Sequence, residues 1–238
     1  MFRIPTSACC DVWWVSVSQA TQDLSTLEAL LAADEAQRAA AFLRPAPRLQ
    51  FVVARAALRM LLSRYLARSP RTFEFVLGVQ GKPSLAQASG LEFNISHAGE
   101  LVAIAIAGDM PVGIDVESHR ADDLESMAAA ILAPQDLRAW REAYAAEGSA
   151  AFYRIWTCKE AVAKAIGCGM SMDFRNLRIG IAPGDPPRLV ALDACWGDAR
   201  AWCLQELQAA PGYSAALAAA GDALHVTPRR FEFRDWLA

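Results

Sequence analysis

Hydrophobic residues repeat at helical spacing in two long segments of this chain. Over residues 48–67 the apolar stripe consists of Phe51, Ala54, Leu58, Leu61, Leu62 and Tyr65. Residues three and four apart share one face of a helix, so this pattern predicts an amphipathic helix. A second long helix is predicted over residues 150–166, and shorter helices over residues 24–41, 124–133 and 134–146.

Short apolar segments bounded by glycine, proline and polar residues predict the strands. They lie at residues 10–18, 73–77, 91–95, 101–107, 112–117, 177–181, 201–206 and 213–219. The order of strand, helices, long helix and final strands occurs twice, ending once in LVAIAIAG and once in YSAALAAAG. We therefore expect an α+β fold of two similar halves, residues 1–108 and 111–238, joined by a turn near residues 108–111.

The composition limits the possible partners. The chain has 238 residues, of which 54% are hydrophobic and 21% charged, and its net charge is −3. This balance gives no reason to expect a nucleic acid or an anionic membrane as partner, so any anionic ligand must be bound by a local group of basic side chains. The apolar runs are also shorter than the ~20 residues that span a bilayer.

The cysteines and the N-terminal segment favour a cytoplasmic protein. Six cysteines and three histidines occur without any CxxC pair, so we expect reduced, packed thiols rather than a zinc site. Pro5 and Asp11 interrupt the N-terminal segment where a signal peptide needs an unbroken apolar core.

The segment GIDVE, residues 113–117, places two acids on one face of a predicted strand. Residues two apart on a strand point the same way, so Asp115 and Glu117 are aligned while Ile114 and Val116 face the core. Two converging carboxylates repel each other unless a cation lies between them, and Mg²⁺ shared with substrate phosphates meets that need. The alternative is a solvated strand end that carries two surface acids.

The segment WTCKEAVAK, residues 156–164, concentrates charge on a predicted helix. Trp156, Lys159, Glu160, Ala163 and Lys164 are expected to share one face. In a functional interpretation, Glu160 is a third metal carboxylate or a general base and Lys164 contacts a phosphate. In the alternative, Glu160 and Lys164 form a surface pair at i, i+4, which contributes only ~0.3–0.5 kcal/mol.

Two further segments carry polar residues that suit phosphate binding. In FNISHAG, residues 93–99, a strand ends in Asn94, Ser96 and His97 before a turn of small residues. Hydroxyl, imidazole and turn N–H groups are phosphate donors, although a structural histidine in a turn is equally typical. In QGKPSL, residues 80–85, the turn at Gly81 and Pro83 presents Lys82.

In their order along the chain, GKP, then NISH, then GIDVE, then FYRIWTCKEAVAK, the four segments resemble the 4′-phosphopantetheinyl transferase superfamily. The pattern G(I/V)D(V/I)E is matched by GIDVE, and (W/F)xxKE(A/S)xxK is matched by WTCKEAVAK. The resemblance covers about residues 30–204, and the chain length is similar to that of the larger, surfactin-synthetase-activating type. It implies a monomer of two similar halves, with antiparallel sheets and long helices, that binds coenzyme A in the cleft between the halves.

The resemblance also implies residue roles by matched position. Asp115, Glu117 and Glu160 correspond to the magnesium ligands, and Glu160 and Lys164 to the catalytic residues. Glu160 is the expected base for the carrier serine, directly or through a water, and Lys164 the expected phosphate contact. The implied coenzyme A site consists of Arg38, Gly81, Lys82, Pro83, Asn94, Ser96, His97, Asp115, Lys159 and Lys164.

Arg38 corresponds to the basic residue that the family places at the 3′-phosphate of coenzyme A. The segment around it departs from the family's lysine-rich pattern, because Ala36 and Ala39 stand where bases are usual. The number of basic contacts to this phosphate therefore stays open. Arg44, Arg48 and Arg55 add positive charge nearby and are expected on helix surfaces.

The implied reaction transfers 4′-phosphopantetheine from coenzyme A to a serine of an apo acyl-, peptidyl- or polyketide carrier protein. It depends on Mg²⁺ and releases 3′,5′-ADP. Phosphoryl transfer relies on positioning and charge neutralisation, so no protein nucleophile is needed. Two alternatives are a non-catalytic coenzyme A or carrier-binding module of the same fold and an unrelated Mg²⁺-dependent nucleotide hydrolase.

Overall fold

The computed structural model describes residues 2–120, 123–180 and 185–236. The elements of the first half are β1 (Cys9–Ser16), α1 (Leu24–Glu28), α2 (Ala33–Ala40), α3 (Pro45–Leu66), β2 (Phe75–Leu77), β3 (Pro83–Leu85), β4 (Glu92–Ala98) and β5 (Leu101–Ala107). Those that follow are β6 (Val112–Ser118), α4 (Leu124–Ile131), α5 (Leu137–Glu147), α6 (Ser149–Ile166), β7 (Arg178–Gly180), β8 (Arg188–Ala191), β9 (Trp202–Leu207), β10 (Tyr213–Ala220) and β11 (His225–Phe231).

The two long helices have clear local start and stop signals. Pro45 lies in the first turn of α3, where a missing N–H costs nothing, and Ala67 ends the helix in the left-handed conformation with φ 52°. Gly148 precedes α6 and Gly167 follows it, with φ of 64° and 80°. A glycine with positive φ is the common helix end, and the N–H of Gly167 donates to Ala163 O at 2.9 Å.

The two halves share one topology. In the first sheet β1 pairs with β5 and β5 with β4, and in the second β6 pairs with β10 and β10 with β9; all four pairings are antiparallel. Each half also has a long helix, α3 or α6, followed by a two-stranded hairpin, β2–β3 or β7–β8. The predicted α+β fold of two similar halves with antiparallel sheets and long helices is therefore confirmed.

The C-terminal strand departs from this symmetry. β11 pairs with β1 in parallel orientation, so the first sheet has the order β11-β1-β5-β4. The ion pair between Arg229 and Asp11, at 2.9 Å, ties this strand to its neighbour. The first sheet thus takes its edge strand from the end of the chain, which the predicted division into residues 1–108 and 111–238 did not include.

Three apolar clusters form the core. In the first, α3 covers one face of the first sheet, with Leu58, Leu61 and Leu62 fully buried. In the second, α6 covers the second sheet. In the third, the remaining faces of the two sheets meet through small residues, among them Ala105 and Ala215. The sheets therefore approach closely along β4, β5 and β6.

The predicted helix over residues 24–41 is wrong, because the structure has two short helices, α1 and α2, in its place. Ala32 between them is extended, with φ −72° and ψ 164°. Its N–H donates to the Glu35 carboxylate at 3.0 Å, and this carboxylate also binds the buried Arg59 at 2.7 Å. A tertiary ion pair therefore starts a new helix at this point.

Strands β3, β8 and β11 were missing from the sequence prediction. β3 and β8 are three and four residues long and belong to two-stranded hairpins. β11 contains Pro228, which is tolerated because β11 is an edge strand. Within the described part of the chain, no helix combines the length and apolar character needed to cross a membrane.

Candidate active site

The site begins where α6 lies directly on β6. Gly113 permits this contact, because a Cβ there would lie 2.2 Å from the carbonyl oxygen of Ala161 and 2.2 Å from the amide nitrogen of Ala165. The helix backbone therefore rests directly against the strand backbone at Gly113. This close approach brings Lys164, next to Ala165, over Asp115, two residues after Gly113.

Lys164, Asp115 and Ser96 form a closed hydrogen-bonded triangle. The Lys164 ammonium donates to Asp115 Oδ1 at 2.6 Å and to Ser96 Oγ at 3.1 Å, and the Ser96 hydroxyl donates to Asp115 Oδ1 at 2.9 Å. The side chain of Asp115 is 4% exposed and that of Lys164 28%, so the pair is largely shielded from water. Three of the four sequence motifs thus meet at one carboxylate.

Both bonds of the triangle to Asp115 use Oδ1, and the second carboxylate oxygen takes no part in it. Its Oδ2 is buried and has no hydrogen-bond partner among the described residues. A buried carboxylate oxygen without a partner is costly, so a cation or donor at this position would stabilise the protein.

Glu117 and Glu160 border the same triangle. Burial raises the pKa of Glu160, and the charges of Asp115 and Glu117 raise it further, while Lys164 opposes them. Burial, followed by the charge of Asp115, also raises the pKa of Glu117, whose Oε1 accepts a bond of 3.4 Å from Trp156 Nε1. Three acids and one lysine therefore share one electrostatic environment, which suits a site that receives a cation.

The acids are close enough to influence one another but are not arranged as a finished metal site. Among residues 2–120, 123–180 and 185–236, no group of three or more His, Cys, Asp or Glu side chains is positioned to hold an ion. The donor set is nevertheless oxygen-rich and includes the unpartnered Asp115 Oδ2. Its chemistry fits a hard divalent cation such as Mg²⁺.

A second, cationic cluster lies on the other face of β4. Adjacent strand residues point to opposite faces, so Ser96 faces β6 whereas His97 faces α2 and α3. The guanidinium groups of Arg38 and Arg55 lie 5.2 and 5.6 Å from the ring centre of Phe51. Desolvation of the imidazole lowers the pKa of His97, and the positive charges of Lys164, Arg55 and Arg38 lower it further.

Known proteins place this geometry in context. A family model described as 4′-phosphopantetheinyl transferase superfamily matches residues 111–218, and one described as 4′-phosphopantetheinyl transferase, N-terminal, matches residues 14–109. The chain is 35% identical to the 4′-phosphopantetheinyl transferase HetI of Nostoc sp., over 88% of this chain and 87% of that protein. The chain belongs to the 4′-phosphopantetheinyl transferase superfamily.

Two other known proteins match over shorter lengths. The 4′-phosphopantetheinyl transferase AcpT of Salmonella typhimurium is 38% identical over 46% of this chain and 56% of its own length. The solved holo-[acyl-carrier-protein] synthase of Thermotoga maritima is 20% identical, with a TM-score of 0.38 over 47% of this chain and 63% of that chain. The assignment to the superfamily rests on the family models and on HetI.

Lys159 lies away from the position that the resemblance implied for it. It was expected beside Lys164 at the substrate, but its side chain is 1% exposed and its ammonium donates to the backbone carbonyls of Phe174 and Leu177. Burial lowers the pKa of Lys159 to about 8. Because neighbouring helix residues are turned about 100° from each other, Lys159 faces the interior while Glu160 lies near Lys164, Asp115 and Glu117. Lys159 anchors the segment that follows α6.

The glycine-lysine-proline turn lies at the junction of the two halves. The half-buried Lys82 ammonium donates to Val112 O at 3.0 Å and to Ala165 O at 3.2 Å. Gly81 provides the turn with φ 80°, and Pro83 begins β3. Asn94 is buried, and its Oδ1 accepts a bond of 2.9 Å from Ile114 N. Lys82 and Asn94 therefore contact backbone of the second half.

One residue of the cationic cluster was missed as a site residue. Arg55 was assigned to the helix surface, but its side chain is 12% exposed and lies 3.9 Å from Glu35. Burial lowers the pKa of Arg55. Its position four residues after Phe51, on the α3 stripe that also carries that ring, is the sequence signal that could have identified it.

Proposed function

We propose that this chain transfers 4′-phosphopantetheine from coenzyme A to a serine hydroxyl of an apo carrier protein, with Mg²⁺, and releases 3′,5′-ADP. The observation that carries the proposal is the Asp115, Lys164 and Ser96 triangle, bordered by Glu117 and Glu160. It combines a phosphate-binding cation with acids suited to a metal and a base. The non-catalytic alternative predicts the loss of one of these groups, and all of them are present.

The cationic cluster suits the 3′-phosphate end of coenzyme A. Arg38 and Arg55 supply positive charge beside the aromatic ring of Phe51. His97, whose pKa is lowered, adds a neutral imidazole N–H donor. With a net charge of −3, the whole protein does not attract an anion, so such a local cluster is required. From the 3′-phosphate near His97, bound coenzyme A would extend along β4, so that its pyrophosphate lies near Ser96 and Lys164.

Asp115, Glu117 and Glu160 would hold the magnesium ion. When bound, the ion supplies charge neutralisation to the pyrophosphate of coenzyme A. Lys164 donates to a phosphate oxygen from the same side, because its ammonium is fixed by Ser96 and Asp115. Burial of this cluster strengthens each of these interactions relative to water.

Glu160 is the proposed general base. Burial and the neighbouring acids raise the pKa of Glu160, which improves its affinity for the serine proton. The serine oxygen forms a bond to the β-phosphorus, the bond from that phosphorus to the oxygen of the leaving 3′,5′-ADP breaks, and Glu160 accepts the proton. A rigid helix, α6, carries both Glu160 and Lys164, which keeps base and phosphate contact in register.

The proposed acceptor is an acyl, peptidyl or polyketide carrier protein, and a monomer of the chain acts on it. All six cysteines are free thiols, which supports a reducing compartment such as the cytoplasm. The contact of Lys164 with Ser96 joins residues of both halves within one chain, which supports a site formed by a monomer.

A carrier panel tests the function. Apo acyl, peptidyl and polyketide carriers are incubated with the protein, coenzyme A and Mg²⁺, and each carrier is examined by intact mass. We expect one carrier to gain the mass of one phosphopantetheine, and its serine-to-alanine variant to gain nothing. Tight coenzyme A binding without any carrier modification would instead support the non-catalytic module.

A further inference from the structure

Within the described residues, the outer edge of β6 lacks a strand partner. There, β6 is the terminal strand of its sheet and pairs only with β10. The backbone groups of alternate residues point to its free edge, and these residues, Val112, Ile114 and Val116, are all buried. Buried backbone N–H and C=O groups need partners, so something other than a strand must supply them.

Three side chains of the first half supply these partners. Lys82 donates to Val112 O at 3.0 Å, Asn94 Oδ1 accepts from Ile114 N at 2.9 Å, and Ser96 Oγ accepts from Val116 N at 3.3 Å. The three contacts follow the edge at a spacing of two residues. Asn94 and Ser96 hold β6 in one register against β4, and Lys82 holds the start of β6 from the turn before β3. We refer to Lys82, Asn94 and Ser96 with these partners as the seam.

The seam also secures the catalytic helix. Besides Val112 O, the Lys82 ammonium binds Ala165 O, which lies in the last turn of α6 beside Lys164. A cation at the C-terminal carbonyls of a helix is stabilising, because these carbonyls lack partners within the helix. One ammonium therefore connects the first half, β6 and the end of α6.

We propose that Lys82 and Asn94 are positioning residues that act through the seam, and not contacts of the coenzyme A phosphates. The inference deepens the proposed function on which it rests. Asp115 lies between Ile114 and Val116, both held by the seam, while Lys164 precedes Ala165, which Lys82 holds. The seam thus sets the 2.6 Å contact between Lys164 Nζ and Asp115 Oδ1.

The binding capacity of these side chains supports this role. Asn94 is only 4% exposed, and its Oδ1 already accepts a hydrogen bond from Ile114 N. Lys82 has three N–H donors, two of which are directed at backbone carbonyls. Ser96 differs from both, because its hydroxyl also contacts Lys164 and Asp115 within the active site.

Amide hydrogen exchange and kinetics test the proposal together. Asn94→Leu removes the acceptor, and we expect the Ile114 amide to exchange at least about tenfold faster, whereas Asn94→Asp retains an acceptor and restores protection. Lys82→Met should lower kcat by about 10- to 100-fold while the Kd for coenzyme A stays within about threefold of wild type. Lys82→Arg should recover part of kcat, and Arg71→Met serves as the charge-matched control at an exposed position.

Either of two results would overturn the proposal. One is unchanged protection of the Ile114 amide in Asn94→Leu. The other is a Kd for coenzyme A raised about tenfold or more in Lys82→Met at unchanged kcat, which marks a substrate contact. If the wild-type protein transfers no phosphopantetheine, the proposed function fails, and the exchange experiment still decides the seam. If Asn94→Leu does not fold, the split between kcat and Kd in Lys82→Met decides.

Discussion

Replacing Gly113 with alanine should damage both stability and catalysis. The added methyl group would lie 2.2 Å from Ala161 O and Ala165 N and 2.8 Å from the carbonyl carbon of Lys164. Ordinary van der Waals contact begins at 3.4 Å, so strand and helix must separate by about 1 Å. Overpacking costs about 1–3 kcal/mol, and the upper end applies here because the obstacle is backbone.

The catalytic effect follows from the same displacement. Lys164 and Asp115 lie on the two elements that must separate, so their 2.6 Å contact would lengthen beyond hydrogen-bonding range. A misplacement of about 1 Å costs on the order of 10²-fold in rate. We therefore expect Gly113→Ala to lose about 3 kcal/mol in urea unfolding and about 10²-fold in single-turnover transfer to an apo carrier at saturating coenzyme A.

Gly78→Ala is the matched control, because its Cβ would lie 3.5 Å from Lys82 O, an ordinary contact. We expect nearly wild-type stability and rate from this variant. Wild-type stability and kcat in Gly113→Ala would refute the reasoning, since the helix would then have moved without consequence for the active site.

Three further substitutions address individual roles. Glu160→Gln should slow transfer by ~10²-fold, the scale of a positioned base. Because burial raises the pKa of Glu160, ionisation of this carboxyl group opposes folding. Without metal, Glu160→Gln should therefore be more stable than the wild type at neutral pH. In pH-dependent thermal unfolding this gain should vanish below the ordinary carboxyl pKa of 4.5. Equal stability of Glu160→Gln and the wild type at both pH values would contradict the raised pKa of Glu160. Arg38→Ala and His97→Ala should each raise the KM for coenzyme A more than they lower kcat, and an unchanged KM would remove them from the phosphate site. The effect of Arg38→Ala should shrink at high salt, because Arg38 acts through its charge. Lys159→Met should cost about 1–3 kcal/mol in urea unfolding with an unchanged KM, because only backbone carbonyls lose a donor; a raised KM at wild-type stability would point to substrate contact.

Strand and helix periodicity predicted the centre of the site from sequence. The alternation in GIDVE aligns Asp115 with Glu117, and the helical spacing of Lys164 and Glu160 places both on one face of α6, near Asp115. The repeated order of elements likewise predicted the two halves. These features depend on local spacing, which a sequence displays directly.

Tertiary contacts decided the features that were not predicted. Lys159 precedes Glu160 in the sequence, but its ammonium donates to the carbonyls of Phe174 and Leu177, in the segment that follows α6. Arg55 resembles any helix-surface arginine until α2 and Phe51 enclose it. The crossing of β11 to the first sheet depends on pairing across more than 200 residues, between Cys9 and His225, which local patterns do not encode.

The most direct test of the central claim follows both parts of coenzyme A in one reaction. Coenzyme A labelled separately in the pantetheine and in the adenosine is incubated with the protein, Mg²⁺ and the apo carrier that responds in the panel. The account predicts that the pantetheine label moves to the carrier serine while the adenosine label appears as 3′,5′-ADP in equal amount. Release of free phosphopantetheine with an unmodified carrier would contradict it and would indicate a nucleotide hydrolase.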